Sequence, residues 1–233
     1  MTDFHSHVLP EMDDGSRSVE ESLEMLAMSW QQGVRHMAAT PHFYAEENSP
    51  EEFLKRRAVS AEKLQKAVEG RENLPILHLG AGVRYYEGFS QTQSLEKLKI
   101  QGTDLLLLEM PFAPWTERMF REIRNAQQRL GCTVVLAHIE RYLHDQTISG
   151  FWDRVEESGA LVQANGEFFL TRFQKRKAYL LFKQGRIHLL GSDCHGRKHR
   201  PPNLGEAAAG IQSRLGPEAL AELGEREKQL LRN

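Results

Sequence analysis

The sequence predicts an α/β fold in which a parallel sheet curls into a barrel. Apolar runs of strand length alternate with longer amphipathic stretches, which is the pattern of repeated βα units. About seven such units fit into 233 residues, a length at which a βα barrel forms one domain. Histidine and acidic residues follow most of the apolar runs, and the strand ends of a barrel open on one face. Together these observations favour a single-domain barrel over residues 1–233.

The individual elements follow from periodicity and from local start signals. The predicted strands cover residues 3–5, 36–40, 76–83, 105–110, 133–137, 160–164 and 187–191. The predicted helices cover residues 19–32, 50–69, 117–130, 150–158, 174–184, 204–214 and 218–231. Ser18 followed by Glu21 predicts a capping box at the first helix. An open doubly wound sheet has the same periodicity, but only a curled sheet lets polar residues from all strand ends converge.

Composition narrows the classes of protein that fit. The net charge of −2 and the pI near 6.6 give no electrostatic footprint for nucleic acid or an anionic membrane. The opening MTDFHSH lacks the basic and apolar regions of a signal peptide, and no stretch approaches the roughly 18 apolar residues of a membrane span. Cys132 and Cys194 cannot form a disulfide framework. We expect a cytoplasmic protein in a reduced compartment, without nucleic-acid partners or direct membrane insertion.

Ligand-type residues at strand ends indicate a metal centre. Six of them end four separate predicted strands: His5, His7, Glu109, His138, Asp193 and His195. His5 and His7 are two residues apart, so on an extended segment their side chains project to the same side and can bind one ion. Glu109 ends the apolar run 105–108, where a buried carboxylate is costly unless it is paired or bound to a metal. The repeated position favours a metal centre over a packed core.

Other residues are weaker candidates when each is taken alone. Asp13 and Asp14 lie in an Asp-Asp-Gly-Ser turn, for which turn chemistry is sufficient, and the residues leave open which of the two is a ligand. His42 follows the second predicted strand, where a lone histidine is more often structural. Arg141 and Arg200 have the planar fork that binds two phosphate oxygens, although single arginines usually solvate a surface.

Several segments closely resemble the PHP superfamily. They are Phe4-His-Ser-His7, Asp13-Asp-Gly-Ser16, Gly33-Val34, Thr40-Pro-His42, Ala137-His-Ile-Glu-Arg-Tyr142, Gln163-Ala-Asn165, Ser192-Asp-Cys-His195 and Arg200-Pro-Pro202. More narrowly, they resemble the bacterial manganese-dependent tyrosine-protein phosphatases of the CpsB/CapC/YwqE type, which act in capsule and exopolysaccharide control. The match runs from residue 3 to about 204. It implies a distorted (β/α)7 TIM-like barrel with a trinuclear metal cluster.

The resemblance also implies a role for each matching residue. The first metal would be held by His5, His7 and Asp193, the second by Glu109 and His138, and the third by Asp14, His42 and His195. Arg141 and Arg200 would bind the phosphate, and Asp193 or His195 would supply a proton to the leaving group. The implied ions are up to three Mn²⁺, with Fe, Zn, Co or Mg as substitutes. The implied substrate is phosphotyrosine on the tail of a cognate autophosphorylating bacterial tyrosine kinase.

One segment departs from that resemblance. The corresponding segment of family members resembles Gly-Ala-Glu, whereas this chain has Gly80-Ala81-Gly82. The resemblance implies that the glutamate of that segment bridges the first two metals. Loss of a bridging carboxylate removes one ligand from each of two ions and leaves their mutual repulsion less neutralised. We therefore expect one or both ions to bind more weakly. Glu87 lies five residues along the chain and is a candidate substitute.

The predicted chemistry is metal-assisted hydrolysis of a phosphomonoester, in which divalent ions activate water and neutralise phosphate oxygens as tyrosinate leaves. Three alternatives stay open at this point. Cys194 and Arg200 form a C-x5-R pattern, the signature of cysteine-dependent phosphatases, although Pro201 disfavours the helical geometry that normally follows that loop. A second alternative is a non-catalytic module that binds phosphotyrosine. The third is a PHP-type enzyme acting on small phosphoesters such as histidinol phosphate.

Overall fold

Strands and helices alternate along the chain in the computed structural model, which describes residues 1–231. The described strands are β1 (Thr2–Ser6), β2 (His36–Ala39), β3 (His42–Phe43), β4 (Ile76–Leu79), β5 (Gly82–Arg84), β6 (Leu105–Glu109), β7 (Thr133–Leu136), β8 (Leu161–Asn165) and β9 (Leu189–Gly191). The described α-helices are α1 (Val19–Gln31), α2 (Pro50–Val68), α3 (Glu117–Leu130), α4 (Phe151–Ser158), α5 (Gly166–Leu170), α6 (Lys175–Lys183), α7 (Leu204–Leu215) and α8 (Pro217–Leu230). The last two residues of the predicted domain lie outside the described residues.

All of the strand pairs are parallel, and the sheet is curled. One sheet has the order β1-β2-β4 and the other the order β3-β5-β6-β7-β8-β9. A parallel bridge between Ser6 and Cys194 connects the end of β1 to the segment after β9. The Asp193 amide donates to the His5 carbonyl at 2.7 Å beside that bridge. The predicted α/β class with a curled parallel sheet is confirmed, with the strands distributed over two sheets.

The prediction of one continuous strand over residues 76–83 is wrong. The predicted strand is interrupted between β4 and β5. The neighbouring segment has a matching interruption between β2 and β3. Pro41 has no amide hydrogen to donate to a ladder, and its carbonyl instead accepts from the Gly82 amide at 3.0 Å. The interruption shifts His42 and Gly82 into a separate pair of short strands. The two-residue strand β3 and the short helix α5 were not predicted.

Strands β1 and β6 to β9 are largely buried on both faces, as expected for parallel strands covered by helices, whereas β4 is partly exposed. Along β6, Leu106 and Leu108 pack into the large core between the sheet and the helices. Leu105 and Leu107 point the other way and join a smaller apolar cluster that includes Phe4. Alternate residues of one strand therefore fill two cores, and the strand ends are held in fixed positions by packing on both sides.

The helix start signals are partly as predicted. The Ser18 hydroxyl accepts from the Glu21 amide at 3.2 Å at the start of α1. The Glu21 carboxylate accepts from the Arg17 amide rather than from Ser18, so the predicted capping box is only half formed. A complete capping box is present at α2, where Ser49 and Glu52 satisfy each other's amides. No helix within residues 1–231 is long and apolar enough to cross a membrane.

Stability is expected to depend on His188, which lies just before β9. Burial, with a smaller contribution from the Arg226 charge, lowers the pKa of His188 from 6.5 to about 4, and its Nδ1 accepts from the Val162 amide at 3.0 Å. The unfolded chain takes up the proton first, so stability is lost as the pH falls from 6.5 towards 4. His188→Asn keeps an acceptor oxygen but does not titrate. Urea unfolding should show a shallower decline for the variant over that range, and parallel curves would contradict the assignment.

Candidate metal centre

The predicted ligands converge at the carboxyl ends of the parallel strands. Five histidines there form a connected group: His5, His7, His42, His138 and His195. The ring centroids of His7 and His195 are 3.9 Å apart, those of His7 and His42 are 4.4 Å apart, and those of His5 and His138 are 5.4 Å apart. His5 and His7 are fully buried. Strands that are distant in sequence thus bring their imidazoles into one cluster, as the strand-end pattern predicts.

Two sets of donor atoms are compact enough to surround an ion. Ring nitrogens of His5 and His7 and a carboxylate oxygen of Asp193 lie within 4.8 Å of one another. The Nε2 atoms of His5 and His7 are 3.2 Å apart, and Asp193 Oδ1 lies 3.5 Å and 3.4 Å from them. The second set combines His7 with the three residues of the predicted third site, Asp14, His42 and His195.

Glu109 and His138 form the remaining predicted pair. The last residue of β6 is Glu109, and its Oε2 lies 3.8 Å from His138 Nε2. His138 follows β7 with a φ of 34°, a conformation that is uncommon for a residue with a side chain. Its Nδ1 is buried without a hydrogen-bond partner among the described residues.

Asp13 and Asp14 have different positions relative to the histidines. Asp13 Oδ2 accepts from His7 Nδ1 at 2.7 Å and from the His42 amide at 2.9 Å. This hydrogen bond fixes the His7 tautomer and directs Nε2 towards the cluster. Asp14 is exposed, and its Oδ1 lies 3.5 Å from His42 Nε2 and 3.4 Å from His195 Nε2. Gly15 lets the turn approach, since a Cβ at that position would lie 2.4 Å from the His7 carbonyl oxygen.

Two amide side chains of β8 support the cluster, and sequence reasoning gave them no role. Gln163 Oε1 accepts from the His138 backbone amide at 2.7 Å and lies 3.3 Å from His5 Nδ1. Gln163 Nε2 donates to Asn165 Oδ1 at 3.0 Å, and Asn165 Nδ2 donates to Asp193 Oδ2 at 2.9 Å. This chain of hydrogen bonds connects the ends of four strands, β1, β7, β8 and β9. The signal in the sequence that could have indicated this role is the presence of polar side chains in and directly after a strand predicted to be buried.

Asp193 connects the histidines to the two predicted phosphate-binding arginines. Its Oδ1 faces the imidazoles, whereas its Oδ2 accepts from Arg141 at 2.5 Å and pairs with Arg200. Asp193 and Arg200 both have a φ of 51°. Backbone strain of this kind is characteristic of sites where the surrounding structure dictates the conformation. The Asp193 carboxylate therefore lies between the imidazoles and the guanidinium groups.

The electrostatics of the cluster keep its carboxylates ionised. Burial alone would raise the pKa of Glu109, but the neighbouring imidazoles of His138 and His42 hold that pKa well below its ordinary value. The pKa of Asp193 is held low against burial by its neighbours His5, His7 and Arg141. Buried, ionised carboxylates of this kind are stable only with cationic partners.

The donor distances fit divalent cations better than they fit direct hydrogen bonds. Contacts between the imidazoles and the carboxylates of Asp14, Glu109 and Asp193 are mostly 3.4 to 3.8 Å long. Such lengths exceed good N–H···O geometry, about 2.7 to 3.2 Å. Two donors that each lie about 2.1 Å from one ion are separated by roughly 3 to 4 Å. The mixture of imidazole and carboxylate donors also suits borderline divalent metals.

A cleft of about 220 Å³ opens beside the cluster. Its lining includes His42, Glu109, His138, Arg141 and Arg200 together with Tyr44, Arg84, Met110, Phe112 and Tyr142. The rings of Phe112 and Tyr142 are 5.3 Å apart, and Phe112 is 63% exposed. Sequence reasoning did not select Tyr44, Arg84 or Phe112. A larger cavity of about 690 Å³ lies near Trp30 and Asn73, away from the histidine cluster.

The fold and the cluster define an α/β protein with a candidate multi-metal centre at its strand ends. The chain belongs to the capsular polysaccharide synthesis family CpsB/CapC, whose family model matches residues 1–231. The resemblance inferred from the motifs is therefore confirmed at the level of the family.

Named relatives match over nearly the whole chain. The tyrosine-protein phosphatase CpsB of Streptococcus agalactiae serotype III (strain NEM316) is 31% identical, over 100% of this chain and 99% of its own. The tyrosine-protein phosphatase YwqE of Bacillus subtilis (strain 168) is also 31% identical, over 100% of this chain and 92% of its own.

Two solved structures match the fold. One, from a study of YwqE from Bacillus subtilis and CpsB from Streptococcus pneumoniae described as unique metal-dependent tyrosine phosphatases, has a TM-score of 0.86 and 26% identity and covers 99% of this chain and 94% of its own. A putative histidinol phosphatase from Listeria monocytogenes has a TM-score of 0.51 and 12% identity over 84% of this chain and 96% of its own. The second match supports the fold alone.

Metal binding should stabilise the folded protein. Chelator-treated protein is expected to melt at a lower temperature than protein with Mn²⁺, because an ion that binds only the folded state adds about 2.7 kcal/mol at a hundredfold excess over Kd. Asp193→Asn should remove most of this thermal shift, whereas His144→Asn, at an exposed histidine, should retain it. A wild-type melting temperature indifferent to both chelator and metal would contradict the assignment.

Proposed function

We propose that this chain is a metal-dependent protein-tyrosine phosphatase that hydrolyses phosphotyrosine on the tail of a cognate bacterial tyrosine kinase in capsule or exopolysaccharide regulation. The observation that carries the proposal is the position of Asp193, with one oxygen towards a cluster of imidazoles and the other towards two arginines. The proposed metal centre and the proposed phosphate-binding pair are thus adjacent. The phosphatase relatives match this chain along nearly its full length, which supports the same conclusion.

We infer further that residues 1–233 form one domain with a distorted (β/α)7 barrel of the PHP type, and that the protein acts in the cytoplasm. Support for the barrel comes from the bridge between Ser6 and Cys194, since it connects the first strand to the segment after the last one. Only two residues separate β2 from β3, and only two separate β4 from β5. We therefore count each pair as one interrupted barrel strand, so that the nine described strands correspond to seven.

The proposed cofactor is Mn²⁺, with up to three ions. The proposed ligands are His5, His7 and Asp193 for one ion, Glu109 and His138 for another, and Asp14, His42 and His195 for a third. Divalent ions at such a centre lower the pKa of water and neutralise phosphate oxygens. The chain contributes fixed positions: Asp13 directs His7, and Gln163 holds His5 and His138.

The arginines are the proposed partners of the substrate's phosphate. Arg141 and Arg200 are about one-third exposed and line the cleft, so their guanidinium groups are accessible while Asp193 orients them. Two planar forks can bind several phosphate oxygens at once. Phe112, which is exposed and lies against the buried ring of Tyr142, offers aromatic surface to the substrate's ring. Tyrosinate, with a pKa of about 10, leaves with little proton donation. The sequence offers Asp193 and His195 as proton donors, but the pKa of Asp193 is held low and its carboxylate has no proton to give, so His195 is the proposed donor.

Hydrolysis by the Mn²⁺-loaded protein tests the proposal. Wild-type protein should release phosphate from a phosphotyrosine peptide, and Arg141→Lys or Arg200→Lys should lower kcat/KM about 100-fold, because a point charge replaces a planar donor fork. Arg197→Lys is the matched control, since Arg197 is exposed and pairs with Glu24. Tight peptide binding without turnover would instead identify a binding module. Faster turnover of histidinol phosphate would identify a small-molecule phosphatase.

Cys194 gives a separate test of the mechanism. The thiol is fully buried, and burial raises its pKa, whereas a nucleophilic cysteine needs an accessible, acidified thiol. Cys194→Ser should therefore keep wild-type kcat within about twofold in a phosphopeptide assay. Loss of turnover in a variant that still melts like the wild type would revive the cysteine-dependent mechanism.

A further inference from the structure

The space beside Gly82 is filled by a carboxylate from the neighbouring strand. Gly82 opens β5, which lies between β3 and β6. A Cβ at this position would lie 2.4 Å from Glu109 Oε1 and 3.3 Å from the Thr40 carbonyl oxygen. Non-bonded atoms do not approach to 2.4 Å, so no side chain at position 82 is compatible with Glu109 where it now lies. The glycine makes room for the Glu109 carboxylate.

The two oxygens of Glu109 face histidines from different strands. Its Oε1 lies 3.8 Å from His5 Nε2 and 3.0 Å from His42 Nδ1. Its Oε2 lies 3.8 Å from His138 Nε2. The 3.8 Å separations are too long for direct hydrogen bonds and lie within the roughly 3 to 4 Å expected for two donors on one cation. One carboxylate therefore extends between the His5 side and the His138 side of the cluster.

We propose that Glu109 is the bridging carboxylate of the metal centre, with one oxygen on the ion held by His5 and the other on the ion held by His138. It supplies from β6 the negative charge that the glycine at position 82 does not supply from β5. The inference rests on the metal centre of the proposed function. It reverses the expectation that the glycine weakens the centre, because the carboxylate is provided by the adjacent strand.

Glu87, the other candidate substitute, is directed elsewhere. Its side chain is 73% exposed, and its Oε2 pairs with Arg118 of α3 at 3.3 Å. The residue does not line the cleft beside the histidines. Glu87→Gln is therefore a matched control for Glu109→Gln, since both changes replace one carboxylate with a neutral amide of the same size.

Equilibrium dialysis against Mn²⁺, with bound metal counted by mass spectrometry, tests the bridge. Glu109→Gln should weaken two ions by at least about tenfold each, because a bridging ligand is lost from both. Glu87→Gln should bind like the wild type. Gly82→Glu combined with Glu109→Gln should regain the weakened ions, since the neutral amide can move aside for the new carboxylate. Weakening of a single ion by Glu109→Gln, or equal weakening by Glu87→Gln, would overturn the proposal.

A second measurement needs no variant and covers the case in which Glu109→Gln fails to fold. Anomalous diffraction from Mn²⁺-loaded wild-type crystals should place one Glu109 oxygen on each of two ions. Both oxygens on one ion, or neither on any, would overturn the bridge. The outcomes are separable from those of the proposed function: bridged ions without phosphotyrosine hydrolysis refute the activity alone, and hydrolysis with Glu109 on one ion refutes the bridge alone.

Discussion

A buried carboxylate between a group of imidazoles and two guanidinium groups determines the arrangement of the strand ends. Asp193 is almost fully buried, and an unpaired charge at that depth would cost several kcal/mol. Histidines on one side and arginines on the other compensate it. Asn165 adds a hydrogen bond at 2.9 Å. Because these partners come from separate strands and loops, the carboxylate can be stabilised only when the curled sheet has assembled, and the same assembly forms the cleft.

The supporting hydrogen bonds make the centre rigid before any ligand arrives. Asp13 fixes one ring of the cluster, and Gln163 connects two strands beneath it. A histidine ligand whose second ring nitrogen is hydrogen-bonded in this way keeps its orientation. This raises the affinity for the metal and limits the coordination geometries that are possible. Asp14 is different, since it is exposed and contributes from a turn. The proposed third site is accordingly the one with the most exposed carboxylate.

The convergence of strand-end side chains could be predicted from the sequence because periodicity identifies buried strands, and an ionisable side chain at the end of a buried strand needs a compensating partner or ion. His5, Glu109, His138 and Asp193 were expected to lie together on this ground, and they do. The interruption at Pro41 and the position of Glu109 beside Gly82 could not be predicted, because both depend on contacts between strands that are far apart in sequence. The role of Asp13 was missed for a related reason: neighbouring acids in a turn are indistinguishable until the turn is folded against His7.

The most direct test of a catalytic metal centre follows bound metal and turnover in the same samples. Chelator-treated wild-type protein is titrated with Mn²⁺, and at each point the bound ions are counted and the initial rate of phosphotyrosine-peptide hydrolysis is measured. We expect no turnover in the stripped protein and a rate that rises as the ions of the cluster are filled. Full activity without bound metal, or a filled cluster with no turnover, would contradict a catalytic role for the centre.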